Sequence, residues 1–163
     1  MQHAVNAPIR VPVRNPLDIF ELRRILRGLA DSQGFSSKAR QSLEIVATEL
    51  ATNILKHGVE GNVELSCLDD IKWGPALRLE ATDRGPKITN LAAALKDGSD
   101  AGGPIDPAHF WRRGGIAAGL GAIARLSDEL HYEHVGSGNR FVVVISRRSA
   151  EQRVPGRGVA GRE

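Results

Sequence analysis

The hydrophobic positions follow the two-residue period of a strand at the start of the chain and then change to helical spacing. The alternation over residues 9–13 predicts a half-buried strand, and Pro12 favours a place at a sheet edge, because proline cannot donate a backbone hydrogen bond. Asn15 and Pro16 then predict a helix start, since asparagine caps helices and proline suits their first turn. This helix is expected to end near Gly34. Its inner face consists of Leu22, Ile25, Leu26 and Leu29.

The middle of the chain predicts a long helix followed by a hairpin. The helix is expected to begin at Ser36 or Ser37 and to end at Gly58, because serine caps helix starts and glycine favours their ends. Residues 62–68 and 76–82 both alternate between hydrophobic and polar side chains. This alternation predicts two antiparallel strands.

The second half of the chain begins with a segment of weak pattern. Residues 84–115 are rich in glycine, proline and aspartate and are predicted to be mostly loop, with a weak helical piece at 90–98. Helical spacing returns over residues 119–130. Residues 129–135 and 139–147 then predict a closing hairpin.

The order of elements is therefore strand, helix, helix, hairpin, loop, helix, hairpin. This order predicts an α+β fold, a two-layer α/β sandwich with helices on one face of a mostly antiparallel sheet. The length suits one domain, which we expect over residues 1–147. Residues 148–163 contain few hydrophobic side chains and are predicted to be a disordered basic tail.

Charge and composition narrow the classes of function. The chain has a net charge of +3, but the part from residue 147 onward holds five arginines and two glutamates, which leaves 17 basic and 17 acidic residues before it. A nucleic-acid surface therefore has little support. The one cysteine cannot build a disulfide framework, and the chain shows neither a secretory signal nor a membrane-spanning run. We expect a cytoplasmic protein that is not bound to a membrane.

Three polar residues of the predicted long helix lie beside its hydrophobic face. At 100° per residue, Glu49, Asn53 and Lys56 form one stripe beside the hydrophobic face. A carboxylate, an amide oxygen and an ammonium group suit a magnesium-bound phosphate. The alternative is a solvated helix edge with a Glu–Lys pair.

Asp83 ends the second strand of the first predicted hairpin. It shares its parity with Leu77, Leu79 and Ala81, so its side chain should point towards the core, where a carboxylate is costly unless something donates to it. Gly85, two residues later, lets the backbone turn sharply. The alternative is a local Asx turn at a strand end.

Glycines lead directly into the helix predicted at residues 119–130. The segment "GGIAAGLGAI" exposes backbone amides where a helix begins, which favours an anion site, although glycines in such places also serve packing.

The three motifs, in this order, resemble the GHKL ATPases, whose nucleotide pocket is called the Bergerat fold. Within them, "VATELATNILKHG", "DRGP", "ALKDG" and "GLGAIARLSDEL" are most similar to the RsbT branch of the small bacterial switch-protein serine kinases and anti-sigma factors. The resemblance covers about residues 8–147.

The resemblance implies a role for each matched residue. Glu49 would be the catalytic base, Asn53 would coordinate Mg²⁺, and Lys56 would add charge towards the phosphates of ATP. Asp83 would accept a hydrogen bond from the adenine amine. The remaining matched positions would line the base pocket or the phosphate lid, the latter within residues 84–115 and the glycines that follow: Gly85, Lys87, Ile88, Gly115, Gly119, Leu120 and Gly121.

The sequence departs from the family pattern at two glycine positions. Lys87 stands where the family has the second glycine of its first box, and Ala117 stands where the second box has its middle glycine. A lysine would be strained if that position needs a positive φ, and it would block the approach if the family's glycine lies against the nucleotide, although it could instead reach a phosphate. The methyl group of Ala117 would crowd the triphosphate.

The resemblance implies an ATP-dependent serine/threonine kinase that phosphorylates a STAS-domain protein, either a stressosome scaffold or an anti-sigma-factor antagonist. RsbT-like members also activate a PP2C-type phosphatase. Two alternatives stay open. One is a catalytically impaired module that acts by docking, and the other is an RsbW-like anti-sigma factor that binds a sigma factor.

Overall fold

A computed structural model of the chain describes residues 2–57, 59–95, 99–100, 103–104 and 119–153. The strands are β1 (Gln2–Ala4), β2 (Ile9–Val13), β3 (Gly61–Asp70), β4 (Gly74–Asp83), β5 (Ser99–Asp100), β6 (Gly103–Pro104), β7 (Glu129–Val135) and β8 (Gly138–Ser146). The helices are α1 (Pro16–Ser32), α2 (Ser37–His57), α3 (Leu91–Ala94), α4 (Leu120–Leu126) and α5 (Arg147–Gln152).

The centre of the fold is one antiparallel sheet. Its order is β1, β3, β4, β8, β7, and β2 pairs with the other half of β3, so that β1 and β2 share one edge. The hydrophobic sides of α1 and α2 join the inner face of this sheet in a single core. The predicted α+β sandwich is confirmed, and so is the edge position of the strand that contains Pro12. A separate pair of two-residue strands, β5 and β6, lies in the segment that was predicted to be loop.

The start of α1 has the predicted cap. Asn15 accepts a hydrogen bond from the Leu17 amide at 2.9 Å, and the Asp18 carboxylate accepts one from the Asn15 amide at 3.2 Å. These bonds satisfy amides that the first turn of a helix leaves free. On the predicted inner face, Leu22 and Leu26 are fully buried.

The long helix α2 begins after Ser36, whose hydroxyl accepts a hydrogen bond from the Ala39 amide at 3.2 Å. Glu44 of α2 accepts hydrogen bonds from Arg23 and Arg27 of α1, at 2.8 and 2.7 Å. The hydrogen bond from Arg27, together with that from Arg23, holds the pKa of Glu44 below its ordinary value. This ion-pair cluster fixes α1 on α2.

The two predicted hairpins are present with the expected faces. In the first, Val63, Leu65 and Cys67 lie opposite Ala81, Leu79 and Leu77, and all six side chains are buried against the helices. In the second, β7 and β8 meet at a turn around residues 136–137. Each hairpin thus contributes one hydrophobic face to the core, as a half-buried antiparallel sheet requires.

The prediction of a disordered tail from residue 148 is wrong for residues 148–153. Residues 147–152 form α5, whose Ala150 is 1% exposed. The Glu151 carboxylate accepts a hydrogen bond from the Ser36 amide at 2.8 Å, and Arg153 pairs with Asp128 at 2.9 Å. Contacts with distant parts of the chain therefore supply the stability that this segment lacks in its own composition. Residues 154–163 lie outside the described part.

Within the described part of the chain, no helix is both long enough and apolar enough to cross a membrane.

Candidate functional site

The polar stripe of α2 runs from the core to the surface. Glu49 is only 6% exposed, Asn53 is half-buried and Lys56 is exposed. Glu49 therefore lies deeper than the border position expected from the helical projection. The reason is tertiary, because α2 contacts α1, α4 and the sheet at once.

The burial of Glu49 changes its acid strength. Loss of hydration raises its pKa from 4.5 to about 7, and the positive charge of Lys56 opposes this shift. No amide or side chain in the described part of the chain donates a hydrogen bond to the Glu49 carboxylate. A buried carboxyl group with a pKa near neutrality can accept or release a proton under physiological conditions.

Asp83 lies at the end of β4 with its side chain turned inward, as its parity predicted, and it is 8% exposed. Its Oδ1 atom accepts hydrogen bonds from the Gly85 amide at 2.6 Å and from Nδ2 of Asn139 at 3.0 Å. The bond to Gly85 forms an Asx turn, so the local alternative given for Asp83 is confirmed. Among the described residues, no donor reaches Oδ2, and this oxygen can accept a hydrogen bond from a ligand.

Asn139 is a site residue that the sequence analysis missed. It is 5% exposed and lies opposite Asp83 in the register of β4 and β8, and opposite His134 in that of β7 and β8. Besides Asp83, its Nδ2 atom donates to the Pro86 carbonyl at 2.9 Å. Its parity with Phe141 in the predicted strand indicates an inward side chain, so the rule applied to Asp83 would have found it.

Tyr132 completes this hydrogen-bond network. Its hydroxyl donates to Oδ1 of Asn139 at 2.7 Å and accepts from the Ile88 amide at 3.0 Å. Its ring packs on Phe141, with the ring centroids 4.8 Å apart. The strand pair β7–β8 therefore holds both ends of the turn that follows Asp83.

Close backbone contact fixes the same turn from the other side. A Cβ atom added to Gly138 would lie 2.0 Å from the Asp83 carbonyl oxygen, so no other residue fits there without movement of the backbone. The Arg84 amide donates to the Val59 carbonyl at 2.8 Å, just beyond α2. The Asp83 turn is thus joined both to β8 and to the end of the helix that carries Glu49 and Asn53.

Lys87 and Ile88 differ in their surroundings. Lys87 is exposed and its φ is not positive, so the strain considered for a lysine at this position is absent. Ile88 is half-buried and packs against the core. The side chain of Lys87 is therefore free to extend towards solvent or an anion.

The second glycine segment is described only at its end. Gly115 and Ala117 lie outside the described residues, as does most of the predicted lid. Gly119 has a φ of +63° and caps the start of α4, a conformation that favours glycine. Gly121 is buried, and Leu120 is 7% exposed with its side chain in the core, which leaves the backbone of Leu120 as the part that a ligand could meet.

The donor and acceptor groups suit a nucleotide better than a metal alone. Asp83 offers a buried acceptor, and Lys56 and Lys87 offer positive charge at the surface. Within the described residues, no group of three His, Cys, Asp or Glu side chains could hold a metal ion. A magnesium ion would therefore depend on the Asn53 oxygen and on phosphate and water ligands, as it does in many phosphate sites.

The chain matches the sequence model of a known protein family. The model of the histidine kinase-like ATPase domain matches residues 14–145. That span begins after β1 and β2, and it contains all the residues of the α2 stripe and the Asp83 turn.

The chain is also similar to individual proteins, both in sequence and in structure. The serine/threonine-protein kinase RsbT of Bacillus subtilis (strain 168) is 27% identical over 135 residues, which are 82% of this chain and 92% of that protein. The crystal structure of the RsbU and RsbW domains of Rv1364c from Mycobacterium tuberculosis matches 86% of this chain with a TM-score of 0.55 and 13% identity. The chain spans 32% of that structure, and at this identity the likeness shows the fold alone.

Proposed function

Because the chain belongs to the histidine kinase-like ATPase family, we propose that it is an ATP-dependent serine/threonine kinase of the RsbT type. The observation that carries the proposal is the buried Glu49, whose pKa is raised to about 7, one helical turn from the half-buried Asn53. A structural carboxylate in a core normally receives hydrogen bonds, and Glu49 receives none from the described residues. Catalysis explains why such a costly group is kept.

Glu49 is the base of the proposed reaction. Its pKa near 7 leaves a large fraction ionised at neutral pH while keeping the carboxylate more basic than an ordinary glutamate. It can therefore orient the incoming serine or threonine hydroxyl and accept its proton as the new phosphate ester forms. When bound, magnesium and ATP would supply the phosphoryl group and neutralise its charge.

The remaining residues bind and orient the nucleotide. Asp83 accepts from the adenine amine, and Gly85 and Ile88 shape the adjoining wall, because their amides are held by Asp83 and Tyr132. Asn53 holds the magnesium ion. Lys56 and Lys87 contribute positive charge near the phosphates. We assign the phosphate lid to residues 84–115 and the glycines that follow, where the backbone amides of Gly115, Gly119, Leu120 and Gly121 would face the phosphates.

We propose a STAS-domain protein as the partner that is phosphorylated, in a stress-response or sigma-factor partner-switching pathway. A PP2C-type phosphatase or a sigma factor is a further partner of the same proposal, and the pathway would place the protein in the cytoplasm. The similarity to RsbT over most of both chains supports this choice of pathway.

One reason for the docking-module alternative is weakened. The alternative depended on Lys87, through strain or through blocked approach of the nucleotide, and on crowding by Ala117, and the ordinary φ of Lys87 removes the strain. A module that only docks would also have no use for an ionisable carboxyl group inside α2.

The test is the melting temperature with and without ATP and Mg²⁺. ATP at 100 times its dissociation constant should stabilise the fold by about 2.7 kcal/mol, which raises the melting temperature by about 5–11 °C for a chain of this size. Asp83→Asn and Asn53→Ala should abolish the shift, because they remove the base contact and the magnesium ligand. Glu49→Gln should keep the shift and lose phosphate transfer to a STAS-domain substrate.

The control is Asp69→Asn, which makes the same chemical change at an exposed position at the far end of β3. It should retain both the shift and the transfer. Absence of any shift at millimolar ATP in the wild type would contradict nucleotide binding. A normal shift without transfer to any cognate STAS-domain protein would contradict the kinase activity and favour docking.

A further inference from the structure

The hydrogen bonds around Asn139 can run in only one direction. The Ile88 amide can only donate, so the Tyr132 hydroxyl accepts a hydrogen bond from it. The same hydroxyl donates its own hydrogen bond to Oδ1 of Asn139. The Nδ2 atom of Asn139 faces two acceptors, the Pro86 carbonyl and Oδ1 of Asp83. The amide of Asn139 therefore cannot rotate by 180° without placing acceptor against acceptor at Asp83 and Pro86.

Nearby groups support the same orientation. Nδ1 of His134 lies 3.2 Å from Oδ1 of Asn139 and can donate to it in the tautomer that carries the proton on Nδ1. The charged Glu133 and Arg140 point to the opposite face of the sheet and pair with each other at 2.6 Å. No described charged group therefore competes with Asn139 for Asp83 on the inner face.

We infer that Asn139 and Tyr132 are positioning residues that fix Asp83 as a pure acceptor with Oδ2 turned to the ligand, and so make the proposed site selective for a base that carries an amine. The inference rests on the proposed function. One carboxylate oxygen is occupied by two donors, and the other has none among the described residues. A base that presents a carbonyl oxygen instead of an amine would meet an unpaired acceptor.

Tyr132 contributes to this selectivity through its hydroxyl group as well as through the packing of its ring. Its hydroxyl ties the Ile88 amide to Asn139, and Ile88 opens the segment that leads to α3. Loss of this hydroxyl would free both the Asn139 amide and the backbone of Ile88. The two effects should appear together, as weaker binding of the amine-bearing base and as faster exchange of the Ile88 amide.

The experiment compares ADP with inosine diphosphate, which has a carbonyl oxygen in place of the amine, by titration calorimetry on the full chain. Asn139→Ala should weaken ADP binding about tenfold, equivalent to about 1.4 kcal/mol, and change inosine diphosphate binding less than about twofold. Tyr132→Phe keeps the ring that packs on Phe141 and should weaken ADP binding by about threefold to tenfold. His131→Gln, on the exposed side of β7, is the control and should change the binding of neither ligand.

The outcomes separate the inference from the proposed function. Equal losses for ADP and inosine diphosphate would overturn the inference, because they would show only a general weakening of the site. No ADP binding in the wild type would contradict the proposed function itself. Hydrogen exchange without nucleotide tests the positioning independently: it should accelerate at Ile88 in Tyr132→Phe, and at Gly85 in Asn139→Ala, while unchanged rates in both variants would overturn it.

Discussion

Glu49 should make the fold less stable as the pH rises. Its pKa is about 7 in the folded protein and 4.5 as a reference, so between these values the folded state binds more protons than the unfolded state. Stability therefore falls with rising pH over this range and stays low above it. The shift corresponds to a cost of about 3 kcal/mol for the ionised side chain at pH 8.

Glu49→Gln tests this cost. Glutamine has the same shape and no charge, so it removes the cost of about 3 kcal/mol. Its buried amide loses its hydrogen bonds to water, however, which costs about 1 kcal/mol. At pH 8 the variant should be more stable than the wild type by about 2 kcal/mol, which corresponds to roughly 4–8 °C in melting temperature. At pH 5 the advantage should disappear, because the wild-type carboxyl group is then protonated.

The matched control is Glu44→Gln, on the same helix. Glu44 accepts from Arg23 and Arg27, so this variant should be less stable than the wild type by about 1–2 kcal/mol at pH 8. Chemical denaturation of all three proteins from pH 5 to pH 8 gives both differences. The reasoning about burial would be refuted if Glu49→Gln were no more stable than the wild type at pH 8 and if the difference in stability between the two proteins did not change with pH.

Three other changes, two of them with a control variant, have clear expected results. Gly138→Ala should lower the free energy of unfolding by at least about 2 kcal/mol and reduce the ATP-dependent shift in melting temperature. Its control, Gly28→Ala, has open space around its Cβ position in α1 and should raise the free energy of unfolding by about 0.5–1 kcal/mol. Lys87→Gly should leave the melting temperature without nucleotide nearly unchanged, because no strain is relieved; a clear rise would contradict this. Deletion of residues 147–163 should lower the melting temperature by more than about 5 °C, whereas deletion of 154–163 should have little effect if α5 alone supplies the contacts.

Much of the fold was predictable because its causes are local. Asn15 and Asp18 cap α1 through bonds within four residues, and the alternation in β3 and β4 assigns each side chain to a face whatever the strand pairs with. The inward position of Asp83 followed from the same alternation. The polar stripe on α2 was also predictable, since a helix brings positions three or four apart to one side.

The tertiary structure decided what depends on contacts between distant segments. The Glu151 carboxylate and the Ser36 amide are 115 positions apart, so no local pattern in residues 148–153 could predict that they fold as a helix. The pairing of Asn139 with Asp83 depends on the register of β8 on β4, which periodicity leaves open by any even shift. The burial that raises the pKa of Glu49 depends on how α1, α4 and the sheet surround α2. The sequence by itself determined which residues of α2 and of the Asp83 turn are candidates for the chemistry. Packing determined the burial of Glu49 and the partners of Asp83, because burial and strand register are properties of the assembled chain.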